Sequence, residues 1–190
     1  MSLSPSLAFS HVGVFVKDIE RMVDFYTRVM GFVVSDRGVL DHGAKIAFLT
    51  RNPREHHQVV FAEGCPPDAA FDMVQQFSFR ADCLDDLRGI REQVQAEGLV
   101  MEGPTLGTLT HGNAISFYFR DPEGHRTEIF IDTPWYVHQP MRIPYDLSRS
   151  DAEIWSFVEQ HARSLPGFRP VAEWHAEMDA KVAAARAGSR

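Results

Sequence analysis

The sequence is short of several things, and each shortage closes off a class of protein. It holds only two cysteines, Cys65 and Cys83, in no CxxC pairing. A disulfide framework is therefore not expected, and the chain reads as a reduced, cytoplasmic protein. It has no apolar run long enough to span a bilayer, so no membrane partner is expected. Positive charge is in deficit: the net charge of -7 argues against nucleic acid or an anionic membrane as partner. The opening residues, MSLSPSLAFSHVGVFVKD, lack the basic region of a signal peptide. What remains is a chain of 190 residues, enough for one domain with a real core or two small modules.

What is present is organised around residues 111–132, HGNAISFYFRDPEGHRTEIFID. Residues 114–119 are β-branched and aromatic, as in a strand. Asp121-Pro122-Glu123-Gly124 is a turn signal, with proline to set φ and glycine to take positive φ. Residues 126–131 form a second strand, and Glu128 sits inside it among apolar neighbours. A carboxylate there is costly unless something meets it. A cation such as arginine, a metal ion, or water at an edge strand would each serve.

From the start of the chain, residues 9–16 (FSHVGVFV) read as a buried strand containing His11. Asp18 is a good N-cap for a helix whose apolar positions recur at helical spacing until Gly31. Strands are expected at 32–35, 45–50 and 57–61, with a turn at Asp36-Arg37-Gly38. The pattern then begins again: a strand at 76–81, a helix from Leu84 to Glu97 ended by Gly98, a strand at 99–102, then the two strands of the central stretch. The spacing predicts two copies of one βαβββ unit, at 7–63 and 75–132, in a domain spanning 7–132. Beyond it, 133–190 reads as an extended segment followed by helices, one opened by the capping box of Ser150 and Glu153 and the last over 170–185. Trp135, Tyr136, Phe157 and Trp174 read as packing of this tail. Its helices are expected to cover a pocket mouth or to mediate dimerisation, and a homo-oligomer is expected. The fold class is thus α+β, paired βαβββ modules forming a curved sheet around a pocket, with a C-terminal helical extension.

Matching positions of such copies converge on one concave face. His11 matches Gln76 in the first strands. Aligning Pro53 with Pro122 sets Val59 opposite Glu128, and strand alternation then turns His57 toward the same face. By residue type alone, His11 is either a core histidine bonded to backbone or a ligand. His56-His57 is either a solvated turn or part of a site, and Tyr118 is either packing or a positioned hydroxyl.

The segments SHVGVFVKD, HHQVVF and SFYFRDPEGHRTEIF, with TPWYVHQP after them, resemble the vicinal oxygen chelate superfamily, which includes glyoxalase I, extradiol dioxygenases and bleomycin-resistance proteins. The placing of His57, His111 and Tyr118 looks like the extradiol catechol dioxygenase branch. That resemblance implies an Fe(II) or Mn(II) ion held by His11, Glu128 and a third residue, dioxygen as co-substrate, and a small aromatic substrate. It implies an acid/base role for His57 and substrate hydrogen bonds from His111 and Tyr118. The third ligand departs from the pattern, because Gln76 stands where the branch has histidine. Gln76 binds the metal through its carbonyl, stands beside a weakened site, or marks a site with no catalytic metal. Two other readings follow from the same resemblance. One is a metal-free protein that binds an aromatic ligand. The other is a glyoxalase-like metal-dependent isomerase or lyase, disfavoured by a valine where that branch has a carboxylate.

Overall fold

The computed structural model describes residues 9–40, 43–65, 74–99, 107–139 and 141–188 of the chain. Its first half runs β1 (Val12–Val16), α1 (Ile19–Arg28), β2 (Val33–Val39), β3 (Lys45–Thr50) and β4 (Val59–Glu63). The second runs β5 (Phe77–Arg80), α2 (Leu84–Ala96), β6 (Thr108–Thr110), β7 (Ala114–Arg120) and β8 (Arg126–Asp132). The extension holds β9 (Trp135–Tyr136), β10 (Ile143–Pro144), α3 (Asp151–Arg163), β11 (Arg169–Pro170) and α4 (Val171–Gly188). No helix among the described residues is long and apolar enough to cross a membrane.

The two halves are copies of one α+β unit. The first sheet has the order β1-β4-β3-β2, and the second β10-β6-β7-β8-β5. In each, the first strand lies parallel to the last, β1 to β4 and β5 to β8, while the hairpins are antiparallel. Each helix crosses back over its sheet because it is apolar on one side. Ile19, Met22, Val23, Phe25 and Tyr26 are buried on α1, and Leu84, Leu87 and Val94 on α2. Asp18 caps α1 by accepting from the Arg21 amide at 3.0 Å. The capping box of Ser150 and Glu153 opens α3 as its sequence predicts.

The turn of the central stretch ties the halves together. The Glu123 carboxylate accepts from the amides of Lys17 and Asp18, at the start of α1. The Asp18 amide is one of the donors that a helix start leaves unsatisfied, and Lys17 lies just ahead of it. Tyr26 reaches from α1 to Asp121, Oη to Oδ2 at 3.3 Å. Aromatic contacts of Tyr26 and Phe32 with Phe79, and of Phe25 with Phe119, make the two cores continuous.

Several expected boundaries are corrected. The strand read over 9–16 begins at Val12, leaving His11 exposed just ahead of it. The strand read over 57–61 begins at Val59, so His57 lies in the preceding bend. No turn interrupts β2 at Asp36-Arg37-Gly38: the strand runs through it, and a bulge between Val34 and Asp36 absorbs the irregularity. A strand expected at 99–102 falls outside the described residues except for Leu99, which is irregular; β6 was not anticipated.

The extension is pinned beside the second sheet. Trp135 Nε1 and Thr133 Oγ1 both donate to the Gly112 carbonyl, at 2.6 and 2.8 Å. Gly112 has φ +76, and a Cβ there would lie 2.4 Å from Val137 Cγ2, so this position admits only glycine. Trp135 packs against Trp155 and Phe168, and Tyr136 stacks on Trp174. These aromatics hold the tail, and through Gly112 they fix the bend that carries His111.

Candidate functional site

Three neighbouring strands set three polar side chains in one row. Ser78 on β5, Glu128 on β8 and Tyr118 on β7 are direct cross-strand partners. Alternation sends Thr127 and Ile129 into the core and Glu128 to the opposite, concave face. Glu128 is 8% exposed, so its charge needs partners. It has three: the Tyr118 hydroxyl on Oε1, and on Oε2 the Ser78 hydroxyl at 2.6 Å and Gln76 Nε2 at 2.9 Å. Arg126, two residues before Glu128, lies with its guanidinium carbon 4.3 Å from the Tyr118 ring centroid and donates to Gln76 Oε1 at 3.4 Å. Burial, then the Glu128 carboxylate, pushes the Tyr118 phenol above its ordinary value, so it keeps its proton at neutral pH.

His111 extends the row. Its Nδ1 donates to the Met141 carbonyl at 2.8 Å, which turns Nε2 onto the Tyr118 hydroxyl at 2.7 Å. Tyr118 has one proton and gives it to Glu128. A protonated imidazole satisfies both contacts of Oη, while a neutral one competes for that proton. The arrangement is a short proton path, His111–Tyr118–Glu128. It lines a cavity of about 360 Å³, shared with Gln76, Arg126 and Arg142.

His11 and His57 form a separate pair. Their rings meet edge-on, centroids 4.2 Å apart, and His57 Nδ1 is 2.8 Å from His56 Nδ1. Desolvation, then the neighbouring His11 and His56, holds His57 below the ordinary imidazole value. A larger cleft of about 960 Å³ runs between the first strands of the two halves. Ser10 and Val12, on either side of His11, line one wall, and Gln76 and Ser78 line the other. The structure thus gathers Gln76, His111, Tyr118 and Glu128 in one network, and pairs His11 with His57 outside it.

The strand register corrects one step. Val12 pairs with Val59 in the first sheet, and Phe77 with Thr127 in the second. With His11 matched to Gln76, the counterpart of Glu128 is Val60, and Val59 matches the buried Thr127. His57 therefore owes its place to the bend and to His11, since strand parity does not govern it. Ser78 and Arg126 were not singled out from the sequence, although each stands two residues from a residue that was.

The donor set decides whether a divalent metal suits these residues. A two-histidine facial triad takes two imidazoles and one carboxylate. Here His11 offers an imidazole, Gln76 a carboxamide oxygen and Glu128 a carboxylate, an oxygen-rich set that suits a hard ion such as Mn(II) better than Fe(II). By donor type these side chains suit a divalent ion; as placed, Gln76 turns its amide to Glu128, and the exposed His11 ring contacts Ser10 and His57. Among the described residues, no group of three or more His, Cys, Asp or Glu forms a metal site. A His–Gln–Glu set supplies only two of those types.

Residues 8–129 match the profile described as "Glyoxalase/Bleomycin resistance protein/Dioxygenase superfamily". The chain is 27% identical over 139 residues to metapyrocatechase of Pseudomonas sp. (strain CF600), covering 72% of this chain and 43% of that protein. It is 30% identical over 131 residues to biphenyl-2,3-diol 1,2-dioxygenase of Paraburkholderia xenovorans (strain LB400), covering 64% and 42% respectively. The chain thus spans less than half the length of these two curated relatives. Among solved structures, a glyoxylase/bleomycin resistance protein/dioxygenase domain from Frankia sp. EAN1pec matches with a TM-score of 0.55 at 22% identity, over 70% of this chain and 100% of that one.

Proposed function

Since the chain belongs to the glyoxalase/bleomycin resistance protein/dioxygenase superfamily, we propose that it is an extradiol ring-cleavage dioxygenase of a catechol-type aromatic. His11, Gln76 and Glu128 would hold its divalent ion, Fe(II) or Mn(II). The observation that carries this reading is the His111–Tyr118–Glu128 row, which aims a proton path at one cavity wall. The similarity to proteins named biphenyl-2,3-diol 1,2-dioxygenase supports it. The metal, when bound, supplies the Lewis-acid and redox chemistry of ring cleavage.

The protein's own residues do the rest. The cavity admits one aromatic ring and fixes it against Phe130 and Ala114. The Tyr118 oxygen, its proton committed to Glu128, accepts from a substrate hydroxyl, and His111 bonds a substrate oxygen by turning Nε2 from Tyr118, which together remove the orientational freedom that such a reaction otherwise loses. His57, kept neutral beside His11, takes the acid/base role. The tail, pinned through Gly112, holds His111 in line.

A second reading has its own observation. Glu128 is satisfied by Gln76, Ser78 and Tyr118 without any cation, as in a metal-free protein that binds an aromatic ligand. The glyoxalase-like isomerase reading is weaker, because Val60, which matches Glu128 in register, carries no carboxylate. Purified protein loaded anaerobically with Fe(II) or Mn(II), then given catechol and air, separates these readings. Stoichiometric metal with a ring-opened product supports the dioxygenase. Catechol binding with no metal uptake and no product supports the binding protein.

A further inference from the structure

Arg142 lines the same cavity as Glu128 but stands outside the His111–Tyr118–Glu128 network. Arg28, Arg37, Arg80, Arg88, Arg163 and Arg169 each pair with an Asp or Glu. Arg142 pairs with no carboxylate and forms no hydrogen bond among the described residues. A chain of net charge -7 therefore presents an uncompensated cation on the wall of its polar cavity. We propose that Arg142 receives a carboxylate on the substrate, so that the site takes a single-ring dihydroxylated aromatic acid. The proposal rests on the reading of this cavity as an aromatic-substrate site.

The register places the charge. Ile143 pairs with Thr110, so Arg142 follows in line opposite His111. Gln139 clamps the approach to it, donating to the His111 carbonyl at 2.7 Å and Asn113 Oδ1 at 3.1 Å, and accepting from the Met141 amide at 3.2 Å. Arg142 is thus delivered by a segment tied to the bend that carries His111. Along β7, Tyr118 and Ala114 share a face about 13 Å apart, at roughly 3.3 Å per residue. A single ring with a short acidic arm spans the space between the Tyr118–Glu128 row and that end. Phe130 and Ala114 give the ring apolar walls.

The other cation of the cavity is already engaged, since Arg126 lies over Tyr118 and donates to Gln76. A second apolar ring in the far part of the cavity would instead meet Arg142, Asn113 and Gln139. A guanidinium and a carboxylate form a charge-assisted, two-pronged pair that a neutral catechol cannot make.

The test is direct binding by calorimetry, with and without one equivalent of Mn(II), using catechol and 3,4-dihydroxybenzoate as probes. The wild-type protein should bind 3,4-dihydroxybenzoate roughly tenfold or more tightly than catechol, with the preference shrinking at high salt. Arg142→Gln should abolish that preference and leave catechol affinity unchanged. Equal wild-type affinity for the two probes, or an Arg142→Gln variant that weakens both alike, overturns the role of Arg142 while the aromatic site stands. Binding of neither probe under either condition, by protein with native circular dichroism, overturns both.

Discussion

Tyr118 faces Glu128 directly across the β7–β8 ladder and gives its only proton to that carboxylate. The bond links a phenol to a buried charge, and His111 approaches the same oxygen from the other side. Tyr118→Phe keeps the ring under Arg126 and removes only the hydroxyl. The loss of a hydrogen bond to a charged acceptor should cost about 1–3 kcal/mol of stability, measured by urea denaturation. Catechol turnover should fall by roughly 10–100-fold in kcat/KM, from the loss of one charge-assisted contact. Turnover within twofold of wild type would remove Tyr118 from the site.

Under the proposed function, Gln76 is the residue through which metal preference would be set. Gln76→His restores the second imidazole, and Fe(II) affinity in an anaerobic titration should rise at least tenfold, with a smaller gain for Mn(II). Unchanged affinity for both ions in a folded variant would place Gln76 away from the metal.

Glu123 bridges the two halves by accepting two amides at the start of α1. Glu123→Ala leaves those donors without the carboxylate, and the expected loss is about 1–2 kcal/mol, as for deletion of a helix cap. The midpoint of chemical unfolding checks it. An unchanged midpoint would mean that water replaces the carboxylate at no cost.

Tyr26 gives the fold an alkaline limit. Burial first, and then Asp121, raises its phenol well above the ordinary value of 10.0. Below pH 10 the phenol is protonated in both folded and unfolded chains, and its contribution is constant. Above it, the unfolded chain releases a proton that the folded chain retains, so stability falls as pH rises. Tyr26→Phe should flatten part of the decline measured by denaturation between pH 9 and 11. A decline equal to that of wild type would show that Tyr26 ionises normally in the fold.

Much of the fold was legible because the signals were local. Asp18, Gly31, Ser150 with Glu153, and the Asp121–Gly124 turn each fix a helix or strand end by their own chemistry. The repeat was legible in outline, whereas its register was not. The segment from Pro53 to Val59 is one residue longer than that from Pro122 to Thr127, so matching the prolines shifts Glu128's counterpart from Val60 to Val59. A slip of one residue exchanges the faces of a strand. Three-residue β6 is too short to show a period. At the site, Glu128 and Tyr118 announced themselves as polar groups in apolar strands. Arg142 and Gln139 did not, because only tertiary folding brings the segment after Tyr136 back beside His111.

Oxygen uptake in the presence of catechol tests the account most directly. Protein reconstituted anaerobically with one equivalent of Fe(II) or Mn(II) should consume one dioxygen per catechol on mixing with air-saturated buffer. Glu128→Ala, with native circular dichroism, should consume none above the metal-only rate. A metal-loaded wild type that consumes no oxygen with any dihydroxylated ring it binds, or a Glu128→Ala variant that consumes as much as wild type, would contradict ring cleavage at this site.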